Sequence, residues 1–193
     1  MGAMPRAGSG VVLPGHHTPA VGLESPFEML EACHERVQRT LSLMARLQQH
    51  LLDKGQDDNA RQAARDVMRY FDLAAPLHHQ DEELHVFPPL LAGTDAGLRS
   101  LVQGLMADHR NMEAAWQPAR AVLQQVAEGA ASDWVPLTGG QTDALNHFAA
   151  LYAQHIQNEE GLVYPAVQTL LSPQAVQAMS ADMMQRRGVV QRP

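Results

Sequence analysis

Cysteine occurs once in this chain, at Cys33, so no internal disulfide framework can form and the sequence suits a reducing compartment. Aromatic residues are scarce, at 5%. Cationic side chains are outnumbered: 14 Lys and Arg against 21 Asp and Glu leave a formal net charge of −7, with no basic stripe. That balance excludes nucleic acid and anionic membranes as expected partners. No apolar run approaches the roughly 18 residues of a membrane span, and the first residues lack the continuous apolar stretch of a signal peptide. The expected location is the cytoplasm. No stretch alternates apolar and polar residues as a half-buried strand does.

What is present favours helix. Ala, Leu, Gln and Met abound, and 193 residues suffice for one domain with a sizeable core. Residues 1–24 hold five glycines and three prolines without periodicity, and read as a flexible N-terminal arm carrying His16 and His17. Ser25-Pro26-Phe27-Glu28 reads as a helix start, with Ser25 as cap and Glu28 completing a capping box. Apolar residues from Met29 to Leu51 then keep helical spacing, and Gly55 ends the helix. A second helix starts at 57–59 and runs to about Val86, kinked by Pro76. Thr94 or Asp95 caps a third, which runs to Glu128 and bends at Pro118. Residues 129–141 read as loop, and Thr142 opens a fourth helix. Ser172-Pro173 starts a fifth that ends near Gly188 and reads as an appendage. The expected fold is all-α, an antiparallel up-and-down four-helix bundle over 25–171, with a short additional C-terminal helix and tail over 172–193.

The chain repeats itself. Residues 78–88 read HHQDEELHVFP, and residues 155–165 read HIQNEEGLVYP. His78 and His155, Glu82 and Glu159, Pro88 and Pro165, and upstream Phe71 and Phe148 all pair at an offset of 77. His34 on helix 1 and His109 on helix 3 pair at 75. Helices 1–2 and helices 3–4 are therefore two versions of one half, each contributing a His and then a His-x-x-x-Glu.

Four residues advance about 400° around a helix, so His78 and Glu82 project from one face, as do His155 and Glu159. Packed about a pseudo-twofold axis, the halves bring four imidazoles and two carboxylates into the bundle interior. Two buried carboxylates repel each other and lack water, a cost that a pair of divalent cations removes. Mixed imidazole and carboxylate donors suit iron, manganese or zinc, and the lack of thiolates argues against a closed structural zinc site. His79 and Glu83 lie about 100° off this stripe and read as flanking or solvated, and Glu160 likewise. His85 shares the stripe but faces Leu162 in the repeat, so it reads as core or rim packing. His50 and His147 have no ligand-like partner, and Cys33 reads as a packing residue.

His34, the segment His78-His79-Gln80-Asp81-Glu82-Glu83 with Phe87-Pro88, His109, and the segment His155-Ile156-Gln157-Asn158-Glu159-Glu160 with Tyr164-Pro165 resemble the bacterial hemerythrin-like (HHE cation-binding) family. The resemblance covers about residues 25–170. It implies a non-haem di-iron centre in a four-helix bundle, bridged by Glu82 and Glu159, with a solvent-derived oxo or hydroxo group between the ions. His34 and His78 would serve one iron, and His109 and His155 the other. The resemblance further implies interaction with a small diatomic or peroxide ligand in sensing, storage or detoxification; oxidoreductase chemistry and iron storage or donation are its other implications. Oligomeric state is left open.

The chain departs from the oxygen-carrying pattern, whose fifth histidine lies one turn after the helix-3 histidine. Glu113 stands there, four residues after His109. It is a possible seventh ligand, and in that role it would leave the open position on the iron of His34 and His78. Because a metal that binds only the folded state stabilises it by mass action, chelation is expected to lower the melting temperature. His78→Ala and His155→Ala are each expected to lose most of the metal, which elemental analysis measures; full metal content in both would refute the assignment.

Overall fold

A computed structural model describes residues 25–188, and the N-terminal arm with His16 and His17 lies outside the described residues. Four helical rods and a C-terminal helix make up the fold. The first rod is α1 (Pro26–Lys54). The second joins α2 (Asp58–Asp81) to α3 (Phe87–Ala92) through a π-helical turn over Glu82–Val86. The third is α4 (Ala96–Glu128). The fourth joins α5 (Gly139–Ala150), α6 (Tyr152–Asn158), a second π-helical turn over Glu159–Val163, and α7 (Tyr164–Gln168). Finally comes α8 (Pro173–Arg186). Packing of α1 on α2, α2 on α4, α4 on α5 and α5 back on α1 closes the up-and-down bundle. No strand occurs among the described residues.

Helix ends follow local chemistry, with two departures from expectation. Asp57, Asp95 and Ser172 cap α2, α4 and α8, their side chains accepting from Ala60, Leu98 and Ala175 N–H. Ser25 makes no side-chain cap: Pro26 already removes one donor, and only the Ser25 carbonyl is used, by Met29 N–H at 3.1 Å. The fourth rod begins before Thr142, because Thr138 and Gln141 form a reciprocal capping box. Gly55 ends α1 at φ 76°, where the Trp134 ring would lie 3.1 Å from an added Cβ.

The apolar interior falls into two clusters. One gathers Val37, Met44, Leu47, Val67, Phe71, Met112, Trp116, Leu123, Leu145, Phe148 and Tyr152. The other gathers Phe27, Leu30, Val86, Phe87, Leu105, Val163, Tyr164, Met179 and Met183. Each rod crosses from one cluster to the other at a buried histidine: His34, His78, His109 and His155. The polar residues thus form a belt across the bundle's waist.

The C-terminal helix is not an appendage. Met179 and Met183 of α8 are buried in the second cluster, and such side chains contribute about 1.5–3 kcal/mol each on full burial. The carboxylate of Asp81, fully buried, takes Arg186 at 2.7 Å and Arg187 at 2.5 Å. Next to this pair, Cys33 packs and is buried. Removing one side of a buried ion pair typically costs about 3–5 kcal/mol when the charge left behind stays buried. The double substitution R186A/R187A is therefore expected to cost about 3–5 kcal/mol in urea unfolding. Asp81→Ala should cost less, because the guanidinium groups, at 16% and 20% exposure, can turn to water. Equal costs would contradict this account.

Candidate metal centre

The two His-x-x-x-Glu segments end where the helix changes register. Phe87 N–H donates to the Glu82 carbonyl and Tyr164 N–H to the Glu159 carbonyl, each five residues back rather than four. Pro88 and Pro165 explain why. Each lacks an N–H, and in an unbroken α-helix its ring would press on the carbonyl four residues earlier, at Leu84 or Gly161; the wider turn relieves the clash. The added residue rotates everything downstream by about 100°. Phe87 and Tyr164 consequently face the interior. His85 turns off the ligand stripe to the rim, where its Nε2 donates to Asp182 at 2.6 Å.

The six residues expected as ligands converge. His34 Nε2 and His78 Nε2 approach to 2.9 Å, and His109 Nε2 and His155 Nε2 to 3.2 Å. Each carboxylate lies between the two pairs. Glu82 places Oε1 3.5 Å from His78 and Oε2 3.4 Å from His109. Glu159 places Oε2 3.1 Å from His34 and Oε1 3.0 Å from His155. Two donor sets result, His34–His78–Glu82–Glu159 and Glu82–His109–His155–Glu159, each with its ligand atoms within 4.8 Å of one another.

The carboxylates are fully buried, and Glu82 Oε2 and both Glu159 oxygens accept no hydrogen bond. Burial and the neighbouring Glu159 push the Glu82 carboxyl up to about 7. Burial pushes Glu159 up as well, but the close approach of His109, His155 and His34 outweighs it and holds the carboxyl well below the usual range. Burial opposes a charge on His109, yet Glu159 and Glu82 outweigh it and raise the imidazole to about 10. Burial, reinforced by His34, keeps His78 neutral. Buried acceptors without donors, facing imidazole nitrogens that crowd one another, fit cations between them.

Second acids hold the imidazoles in place, which the sequence reading missed. Glu83 Oε1 accepts from His109 Nδ1 at 2.9 Å, and Glu160 Oε1 accepts from His34 Nδ1 at 2.9 Å. Both remain 41% exposed, so solvation and ligand support coexist in one side chain. The signal was the doubled Glu-Glu in each repeat. Asp108 Oδ2 lies 3.5 Å from His155 Nδ1. Its repeat mate is Cys33, and correspondingly His78 Nδ1 has no partner.

The two sides of the centre differ. Beside His34 and His78, Tyr164 is buried; its hydroxyl donates to Glu82 Oε1 at 2.5 Å and lies 3.5 Å from His34 Nε2. The repeat mate of Tyr164 is Phe87, which has no hydroxyl and stacks near His109. On the His109 side a cavity of about 390 Å3 opens between α2 and α4, floored by Phe71, Trp116, Phe148 and Tyr152 and ending at His79 and His109. Glu113 is exposed on its wall and joins neither donor set. A site opened toward His34 and His78 by Glu113 ligation is therefore not what the geometry offers. His79, expected as flanking or solvated, is half-buried and stacks on His109 with ring centroids 3.9 Å apart. His50 pairs with Asp57 at 3.0 Å and His147 is exposed.

A sequence model described as "Hemerythrin HHE cation binding domain" matches residues 25–167. The chain belongs to this hemerythrin family. Its hemerythrin domain spans all four rods, so both halves of the donor constellation fall inside a domain whose description is cation binding. A protein of Haemophilus influenzae carrying the description "Uncharacterized protein" is 29% identical over 164 residues, which cover 85% of this chain and 91% of the relative. No helix of the described residues is long and apolar enough to cross a membrane.

Carboxylates that orient metal-bound histidines typically contribute 10- to 100-fold in metal affinity. Glu83→Ala and Glu160→Ala are accordingly expected to weaken metal binding about 10- to 100-fold, measured by competition with a chromophoric chelator. Glu82→Ala and Glu159→Ala should weaken it further. Wild-type affinity in the first two variants would show that the hydrogen bonds to His109 and His34 carry no weight.

Proposed function

We propose that the protein holds two iron ions at the bundle waist and uses the pair to bind a small ligand such as dioxygen, nitric oxide or peroxide, in sensing, storage or detoxification. One observation carries this reading: Glu82 and Glu159 each direct one oxygen to the His34–His78 pair and the other to the His109–His155 pair. A carboxylate shared in this way would hold both ions. Each ion would receive two imidazoles and one oxygen from each glutamate, leaving room for a solvent-derived bridge and one exogenous ligand. Imidazole with carboxylate suits redox-active iron, and manganese or zinc satisfy the same donors less distinctively. The ions would supply electrons and Lewis acidity.

The residues supply the rest. Glu160, Glu83 and Asp108 fix the ring orientation of His34, His109 and His155 and thereby expose Nε2 to the interior. Tyr164 steadies Glu82 through its hydroxyl. The apolar clusters above and below exclude water. A reducing compartment, the cytoplasm, suits the buried free thiol of Cys33.

Protein purified without added metal is expected to contain two iron ions per chain by elemental analysis. It should show visible absorption that changes on oxygen addition and returns on its removal. Since His109 is raised to about 10 and Glu82 to about 7 in the metal-free protein, loading must displace protons. Iron uptake should therefore acidify a weakly buffered solution and weaken as pH falls. One ion per chain, or none, would overturn the reading.

A further inference from the structure

The repeat is broken at one position beside the centre: His79 in the first half has Ile156 as its mate in the second. His79 stands at the inner end of the α2–α4 cleft, with a nitrogen within 4.8 Å of donor atoms of His109 and His155. Proximity alone would suggest a third imidazole on the same ion, but the ring geometry opposes it. His79 and His109 lie nearly parallel, 9° apart, one over the other. The nitrogen lone pair of imidazole lies in the ring plane, so an ion in the plane of His109 sits off the plane of His79. His79 also makes no hydrogen bond to another described residue, whereas His34, His109 and His155 each have a carboxylate on Nδ1. An imidazole without a partner, facing a cleft, has an N–H to offer.

We propose that His79 is the hydrogen-bond donor that receives a small ligand bearing or gaining negative charge, entering by the α2–α4 cleft and binding on the His109–His155 side of the centre. The inference rests on the dinuclear reading above and adds the side of entry and the residue that meets the ligand. On the opposite side the corresponding space is taken by Ile156 and the Tyr164 hydroxyl, both buried. The cleft wall carries one charge of each sign, Arg110 and Glu113, besides Glu83, which is engaged by His109. The apolar floor suits a small molecule rather than a hydrated ion.

The test uses the iron-loaded full chain, with azide as the probe, in the parent, His79→Ala and His79→Gln. Iron content is expected to be the same in all three. The azide dissociation constant should rise about tenfold in His79→Ala, the loss of one hydrogen bond to a charged group, and recover in His79→Gln, whose amide retains an N–H donor. Loss of iron from His79→Ala would make His79 a metal ligand and overturn the proposal. Unchanged azide affinity in His79→Ala with iron content intact would also overturn it, while leaving the dinuclear reading standing. A parent that holds fewer than two ions would instead sink the reading on which the proposal depends.

Discussion

Two carboxylates and four imidazoles are shut away from water in the middle of an apolar bundle, and the rest of the structure answers to that. Two anions this close in a low-dielectric interior repel each other, and hydrogen bonding does not relieve them: three of the four carboxylate oxygens accept none. A protein can tolerate such an arrangement by protonating one acid or by placing positive charge between them. The upward shift of Glu82 and the proton held by His109 are the metal-free answers, and cations between the two His pairs are the other. Both place the centre under strong selection by charge, and the rods on either side must be rigid enough to keep the acids together.

That rigidity comes from continuity. Each rod runs through the polar belt from one apolar cluster to the other, so each buried donor side chain is anchored above and below by packed side chains. The π turns add a second constraint. By inserting a residue immediately after Glu82 and Glu159, they direct Phe87 and Tyr164 inward, where they pack beside His109 and His34. The duplicated halves diverge at several positions, three of them beside the centre. Tyr164 corresponds to Phe87, His79 to Ile156, and Asp108 to Cys33. Near-symmetry builds the two donor sets, and these three departures make their surroundings unequal.

Much of this was legible in the sequence, for a physical reason. Helical periodicity is local, so His78 with Glu82 and His155 with Glu159 could be placed on one face, and the 77-residue offset showed that the two faces meet. The fold, the helix stop at Gly55 and the helix starts near Asp57, Asp95 and Ser172 followed from the same local rules, whereas the second rod runs past its expected end near Val86 to Ala92. What stayed hidden depends on longer reach. The register change at Pro88 and Pro165 is a choice between relieving a clash and breaking the rod, and only packing decides it. Glu83 and Glu160 were assigned by angle alone, yet a glutamate side chain is long enough to cross the seam to a neighbouring rod. Asp81 meets Arg187 across 106 residues, a pairing that no local pattern announces. Glu113 shows the converse: correct spacing from His109 did not make it point inward.

The belt also divides the molecule mechanically. Above it and below it lie separate apolar clusters, each dense enough to hold its own ends of the rods, while the waist between them owes its cohesion to charge. Local opening follows the weakest cohesion. If a bound cation leaves, the waist would be the part to loosen first, with both clusters still packed. Metal exchange would in this sense be a breathing motion rather than an unfolding event. A cell could strip or refill such a protein repeatedly without sending the chain back through its folding pathway.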